Sequence, residues 1–223
     1  MMFQDLDRTI EALMRNQLPA DVRDRLTISF ATPDEDFPPA AVPTPAIDFF
    51  LYDVRENREL RTTEWLLERD ELNRPRSQRR APVRVDCSYL ITAWIDRNAP
   101  SAALEEHRVL SEVTRVLLRH PTLPRELLQG SLRHPDAPVH DVDPPLPTTT
   151  LEPGRLQNPS DFWQVISKPK AMLHFTVTLG LDLYEVLPVH RVETKDMPLT
   201  PTTPDEIRTM RAQHQAELKE SGR

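Results

Sequence analysis

Several groups of residues have side chains that could do chemistry. Cys87 is the lone cysteine. As a nucleophile it would need a thiolate and a nearby histidine. It falls on the same side of its segment as Val85 and Tyr89, which reads it as a small buried hydrophobe. One cysteine also excludes an internal disulfide and a cysteine zinc cluster. His134, His140, Asp141 and Asp143 are metal-ligand types. They fall in a proline-rich stretch that fixes no helical spacing, so a solvated polar loop is the preferred reading and no metal is assigned. Asp48 and Asp53 flank an apolar run and are the right types for acid–base work. Five positions apart on a strand, they should point to opposite faces and not act together. His174 lies on the polar side of its segment and reads as a surface or interface histidine. A catalytic role would require it to meet Ser88 or Asp86 in a shared pocket.

The arginines offer a different chemistry. Arg74, Arg76, Arg79 and Arg80 cluster with no acid between them. They read either as a solvated loop or as an interface patch that meets an acidic protein surface. Nucleic acid is disfavoured, because the chain carries a net charge of −7 and no aromatic residue interleaves those arginines. Trp65, Ile207 and Met210 join the cluster as candidate interface residues. Lysine is confined to Lys168, Lys170, Lys195 and Lys219, so arginine supplies most of the basic charge. Its planar fork suits interfaces better than an ammonium does. The glycines are Gly130, Gly154, Gly180 and Gly222, which rules out a Walker loop and a dinucleotide fingerprint. No HExxH or GxSxG motif is present. The sequence therefore assigns no catalytic, cofactor-binding or metal residue.

The elements that must position these groups follow from periodicity. Leu6, Ile10, Leu13, Met14 and Leu18 predict an amphipathic helix over 4–18, stopped by Pro19. Leu26, Ile28 and Phe30 alternate as a short strand. Residues 46–54 are apolar on both faces, as in a central strand. A second long strand is expected over 83–95. The charge-dense stretch 55–80 between them is either a hairpin extension or a loop. Ser101 is a candidate N-cap for a helix running to His120, where Pro121 ends it. A short helix should follow over 125–129, ended by Gly130. A short strand is expected over 139–142 and a brief helix from Ser160. Strict alternation over 171–186 predicts the last core strand, with Leu173, Phe175, Val177 and Leu179 on its apolar face. Beyond 187 a proline-punctuated arm ends in a helix started by Thr203, Pro204 and Glu206. Its stripe of Ile207, Met210, His214 and Leu218 is too thin to stand alone.

At 223 residues the chain has room for one domain with extensions, and its 38% hydrophobic content can build a core. The 23 prolines, against 4 glycines, concentrate in 33–45, in 135–159 and in the tail, outside the strands. No apolar run reaches the length of a membrane span, and no leader is recognised at the start, so a cytoplasmic protein with no membrane partner is expected.

Several segments together resemble a known family. Ile47-Asp48-Phe49-Phe50-Leu51-Tyr52-Asp53-Val54-Arg55-Glu56-Asn57 is similar to the central-strand signature of the cap, or tail-terminator, proteins of phage-tail-like contractile injection systems. Pro82 to Trp94, with Tyr89-Leu90-Ile91-Thr92-Ala93-Trp94, resembles its second signature. Glu105-Glu106-His107-Arg108-Val109-Leu110, then His120-Pro121 and Leu128-Gln129-Gly130, resemble its helix and the following turn. Asp161-Phe162-Trp163 and 171–186 fit its C-terminal half. The resemblance runs in order over 4–186. It implies an α/β (α+β) fold with a single mixed β-sheet packed by helices, tail-terminator-like, over 1–186, and an arm over 187–223. It also implies a structural cap without cofactor, assembled with itself as a six-fold ring on the sheath and inner tube. The alternatives are an α/β enzyme of unknown reaction and an adaptor binding through the arginine-rich loop 74–80.

Overall fold

The computed structural model describes residues 2–33, 38–39, 41–69, 75–96, 98–133, 146–152 and 170–189. Contacts divide the chain into a larger unit, 1–66 with 79–186, and a smaller one, 67–78 with 187–223. In the larger unit the element order is α1 (Met2–Gln17), α2 (Ala20–Arg23), β1 (Thr27–Ser29) and β2 (Ala46–Glu56), then β5 (Val83–Trp94) and α3 (Ala102–Arg119), then β6 (Thr148–Thr150) and β7 (Met172–Leu181). Strands β3 (Trp65–Arg69) and β4 (Pro75–Arg80) stand between β2 and β5, and β8 (Leu187–Pro188) follows β7.

The main sheet has the order β1-β2-β5-β7-β6. β1 runs parallel to β2, and the other pairs are antiparallel, so the sheet is mixed. A second, three-stranded sheet has the order β3-β4-β8. The single sheet expected from the sequence is thus two. The charged stretch 55–80 holds β3 and β4, which are neighbours in that sheet, with β8 on the other side of β4.

One face of the main sheet carries Ile47, Phe49, Val85, Cys87, Tyr89, Ile91, Phe175, Val177 and Leu179. Leu6, Ile10, Leu13 and Met14 of α1 and Val109, Val113, Val116 and Leu117 of α3 close over them. Each large side chain buried this way contributes roughly 1.5–3 kcal/mol of transfer free energy. The Tyr89 hydroxyl reaches through this core to donate to Asp7 Oδ1 at 2.7 Å. Burial raises the Asp7 carboxyl above its usual range, while that hydrogen bond acts to lower it. The tie fixes α1 on β5.

A second clasp holds α1. Asp5 is 4% exposed and accepts from Ser131 N at 3.0 Å and Ser131 Oγ at 2.8 Å. Thr9 Oγ1 accepts from Gln129 N at 3.0 Å. The receiving turns are 3-10 helices, Arg125–Leu127 and Gly130–Leu132. Gly130 therefore begins a turn instead of ending one, with φ +52. Its lack of a Cβ is needed, since one would lie 2.3 Å from Asp5 Oδ1.

Other local expectations are corrected. Ser101 sits at the N-cap position of α3 but has φ 64 and no side-chain cap bond. The last core strand ends at Leu181, and 182–186 lie outside it. β6, all threonine, has no apolar alternation to announce it. It is an edge strand held by backbone pairing to β7. The expected strand at 139–142, the helix from Ser160 and the C-terminal helix fall outside the described residues. No helix among the described residues is long and apolar enough to cross a membrane.

Candidate functional site

Strands Trp65–Arg69 and Pro75–Arg80 carry Trp65, Arg76, Arg79 and Arg80 of the candidate interface residues. Successive strand side chains point to opposite sides. In β4 this alternation splits the arginine cluster: Arg76 and Arg80 are exposed, whereas Arg79 is 8% exposed. Arg79 Nη1 bonds Asp182 Oδ2 at 2.8 Å. Its guanidinium is buried and paired within the larger unit, so Arg79 is not part of an outward patch. Arg74, Ile207 and Met210 lie outside the described residues.

Arg80 faces outward. Its guanidinium carbon lies 5.4 Å from the Trp65 ring centroid and 5.2 Å from that of Tyr184. Each cation–π contact at an exposed site is worth about 0.5–1 kcal/mol. Both rings lie within cation–π range of the Arg80 guanidinium. Its N–H edges remain available, and no carboxylate among the described residues pairs with it. Trp65 is 45% exposed, and Leu66, Leu183, Tyr184 and Val186 are exposed as well. The result is a cationic, aromatic surface at the end of the sheet where β5 begins and β7 ends. Tyr184 was not singled out by sequence. It follows the last strand on the expected polar side, and only the turn after Leu181 brings it to Arg80.

The polar side of the main sheet is the second place where chemistry could gather. Asp48, Ser88, Thr92, His174 and Thr176 are all buried there, so His174 is an interior residue and not a surface one. The alternation identified its face correctly. It could not show that this face is covered. Tyr52 meets the His174 ring edge-on at 5.9 Å. Ser88 Oγ bonds Thr176 Oγ1 at 3.3 Å, and Thr178 Oγ1 donates to Asp86 Oδ1 at 2.7 Å. Asn57 Nδ2 also donates to both Asp86 oxygens at 3.2 Å. Thr176 Oγ1 lies 3.5 Å from His174 Nε2, so the threonine stands between Ser88 and the histidine in this polar row. Cys87 points into the opposite, helix-covered face. Burial first, then the charges of Asp86 and Asp7, push its thiol up to about 12. It is a proton-bearing core group at neutral pH.

The carboxylates Asp48 and Asp53 correct another expectation. The register shifts between Leu51 and Asp53, so Asp48 stands opposite Thr92 and Asp53 opposite Ser88. A bulge of this kind inserts one residue and reverses the side on which the rest of the strand points. The two aspartates therefore share a face by register. They remain about 13 Å apart along the strand, four residues at the usual rise. Asp53 pairs with Arg55 at 2.7 Å, and Asp48 accepts from Ala31 N at 3.2 Å. They do not act together. Among the described residues no group of three or more histidine, cysteine, aspartate or glutamate side chains could hold a metal ion. His134, His140, Asp141 and Asp143 lie outside those residues.

Residues 5–186 match the family model described as the Pvc16 N-terminal domain. Two solved structures share the fold. One is the sheath/tube terminator of PVC, an extracellular contractile injection system, in its extended state. It matches with a TM-score of 0.58 at 22% identity, over 98% of this chain and 72% of that one. The other is the tube-terminating cap of the anti-feeding prophage, with a TM-score of 0.53 at 22% identity, over 98% of this chain and 70% of that one. No curated protein matches the chain.

Proposed function

Because the chain belongs to the Pvc16 N-terminal domain family, we propose that it is a structural cap of a contractile injection system, closing the end of the sheath and inner tube. The observation that carries this reading is the family match over 5–186, with a mixed-sheet fold like those of a sheath/tube terminator and a tube-terminating cap. The role is architectural. Its partners are the sheath protein, the inner tube protein and further copies of itself in a six-fold ring. Arg76, Arg80 and Trp65 are the proposed contact residues, with Arg74, Ile207 and Met210 as candidates on sequence grounds.

A ring subunit needs one surface that fits a different surface on its neighbour. An exposed aromatic and arginine surface is suited to that task, since such residues dominate interface energetics. Electron microscopy of particles carrying a labelled chain tests the proposal. The label should sit at one end of each particle with six-fold symmetry, and particles lacking the chain should have tubes of uncontrolled length. Label along the sheath, or tubes of normal length without the chain, would overturn it.

A further inference from the structure

We propose that the Arg80 surface of one copy receives the acidic segment Asp34-Glu35-Asp36-Phe37 of a second copy, in a head-to-tail contact. This deepens the cap reading, from which the ring is taken.

The receiving surface has defined chemistry. The Arg80 guanidinium lies over the Trp65 ring and over the Tyr184 ring, within cation–π range of both. No carboxylate among the described residues pairs with its planar fork of donors, whose geometry matches a carboxylate. Leu183 and Val186, close to Tyr184 in the chain, are also exposed. The surface therefore fits a ligand with a carboxylate beside an aromatic or apolar group.

The chain itself carries such a segment. Asp34-Glu35-Asp36 is the one run of three consecutive acids in the sequence, and Phe37, Pro38 and Pro39 follow it directly. Proline on both sides, Pro33 and Pro38, lowers the entropy lost when it docks.

Geometry decides between the same copy and another. Ala31 and Val42, which flank the segment, pack against Ala46 and Trp94. Ala46 and Trp94 stand opposite each other where β2 begins and β5 ends. Arg80 instead lies next to Val83, which stands opposite Leu181 at the other end of β5. β5 has 12 residues, so the two ends are roughly 36 Å apart. The four residues between Pro33 and Pro38 can bulge about 10 Å from their anchors at full stretch. They cannot reach Arg80 of their own copy. A receiving surface at one end of the sheet, with the flanks of the acidic segment at the other, gives a heterologous contact, which repeats from copy to copy and closes when the rotation allows.

A synthetic peptide of residues 31–40 tests the contact on the full chain, whatever the chain's own state of association. Its binding is followed by the Trp65 fluorescence, identified by loss of the signal in Trp65→Phe. The expected result is a saturable change that weakens at least tenfold with Arg80→Glu. The same loss should follow when the peptide carries Asp34→Asn, Glu35→Gln and Asp36→Asn, a control that leaves the folded chain untouched. A peptide with lysine at all three positions should bind the Arg80→Glu chain better than it binds the parent. Absence of saturable binding up to about millimolar peptide, or equal binding of the neutral peptide, would overturn the proposal. A chain that binds the peptide but is missing from particle ends keeps this contact and removes the cap reading. A chain present at particle ends yet indifferent to the peptide does the reverse.

Discussion

Asp48 is the buried residue with the least settled electrostatics. It is 0% exposed, and its Oδ2 has no hydrogen-bond partner. Burial is the dominant influence and raises its carboxyl to about 7, against smaller lowering effects from Ser29 and Ala31. In the unfolded chain a carboxyl titrates near 4. Across that window the unfolded state has released a proton that the folded state keeps. Stability therefore falls as pH rises from about 4 to about 7, by on the order of 4 kcal/mol. Asp48→Asn keeps the shape and removes the proton. Its stability should match the parent below about pH 4 and exceed it increasingly up to about pH 7, as read by urea unfolding at several pH values. Parallel curves for the two chains would show that Asp48 stays ionised. At this scale the sequence was readable where one face decides the role, as for Cys87 in the core. It was not readable where a covering layer decides it. Asp48 and His174 stand on the expected side of their strands, and it is the burial of that side that gives them their character.

At the scale of elements, α1 and the turns at 125–132 hold each other through Asp5 and Gly130. The Ser131 backbone and hydroxyl donors keep the Asp5 carboxyl at about 2, well below the usual range. A Cβ at Gly130 would meet that carboxylate and would also sit at φ +52, where side chains are strained. Gly130→Ala should destabilise by about 1–3 kcal/mol, seen as a lower thermal midpoint. Combining it with Asp5→Ala should cost less than the sum of the two, because the clash is then removed. Additivity would show that backbone strain alone carries the effect. The main elements were legible because their apolar periods are long: α1, α3, β2, β5 and β7 all lie where periodicity puts them. The bulge at Tyr52, the left-handed Ser101 and the polar β6 were not. None of them leaves an apolar pattern, and each depends on a partner remote in sequence.

At the scale of the molecule, all strands of the five-stranded sheet fall within 27–181, and the arm contributes β8, which pairs with Ser77 and Gln78. A chain ending at Val186 should keep the sheet signature in circular dichroism and a cooperative melt. Loss of soluble protein would show that the arm belongs to the core. Proline is sparse in the main sheet and dense in the connectors. That distribution fits a subunit whose connectors make contacts beyond its own core, as the proposed role of 34–37 requires.

The sequence by itself determined the α1 and α3 stripes, the long strands and the absence of glycine-loop machinery, because those follow from residue type and period. The family-like segments were legible through their resemblance to tail-terminator proteins. Tertiary structure decided which arginine of the 74–80 cluster is available. Alternation along β4 places Arg79 and Arg80 on opposite sides. Only the positions of Asp182, Trp65 and Tyr184 make one an internal ion pair and the other an open fork. It also decided that Ala31 and Val42, which flank the acidic segment, lie at the end of the sheet opposite Val83, near Arg80 in the chain. Antiparallel pairing sets that separation, through contacts between residues far apart in the chain.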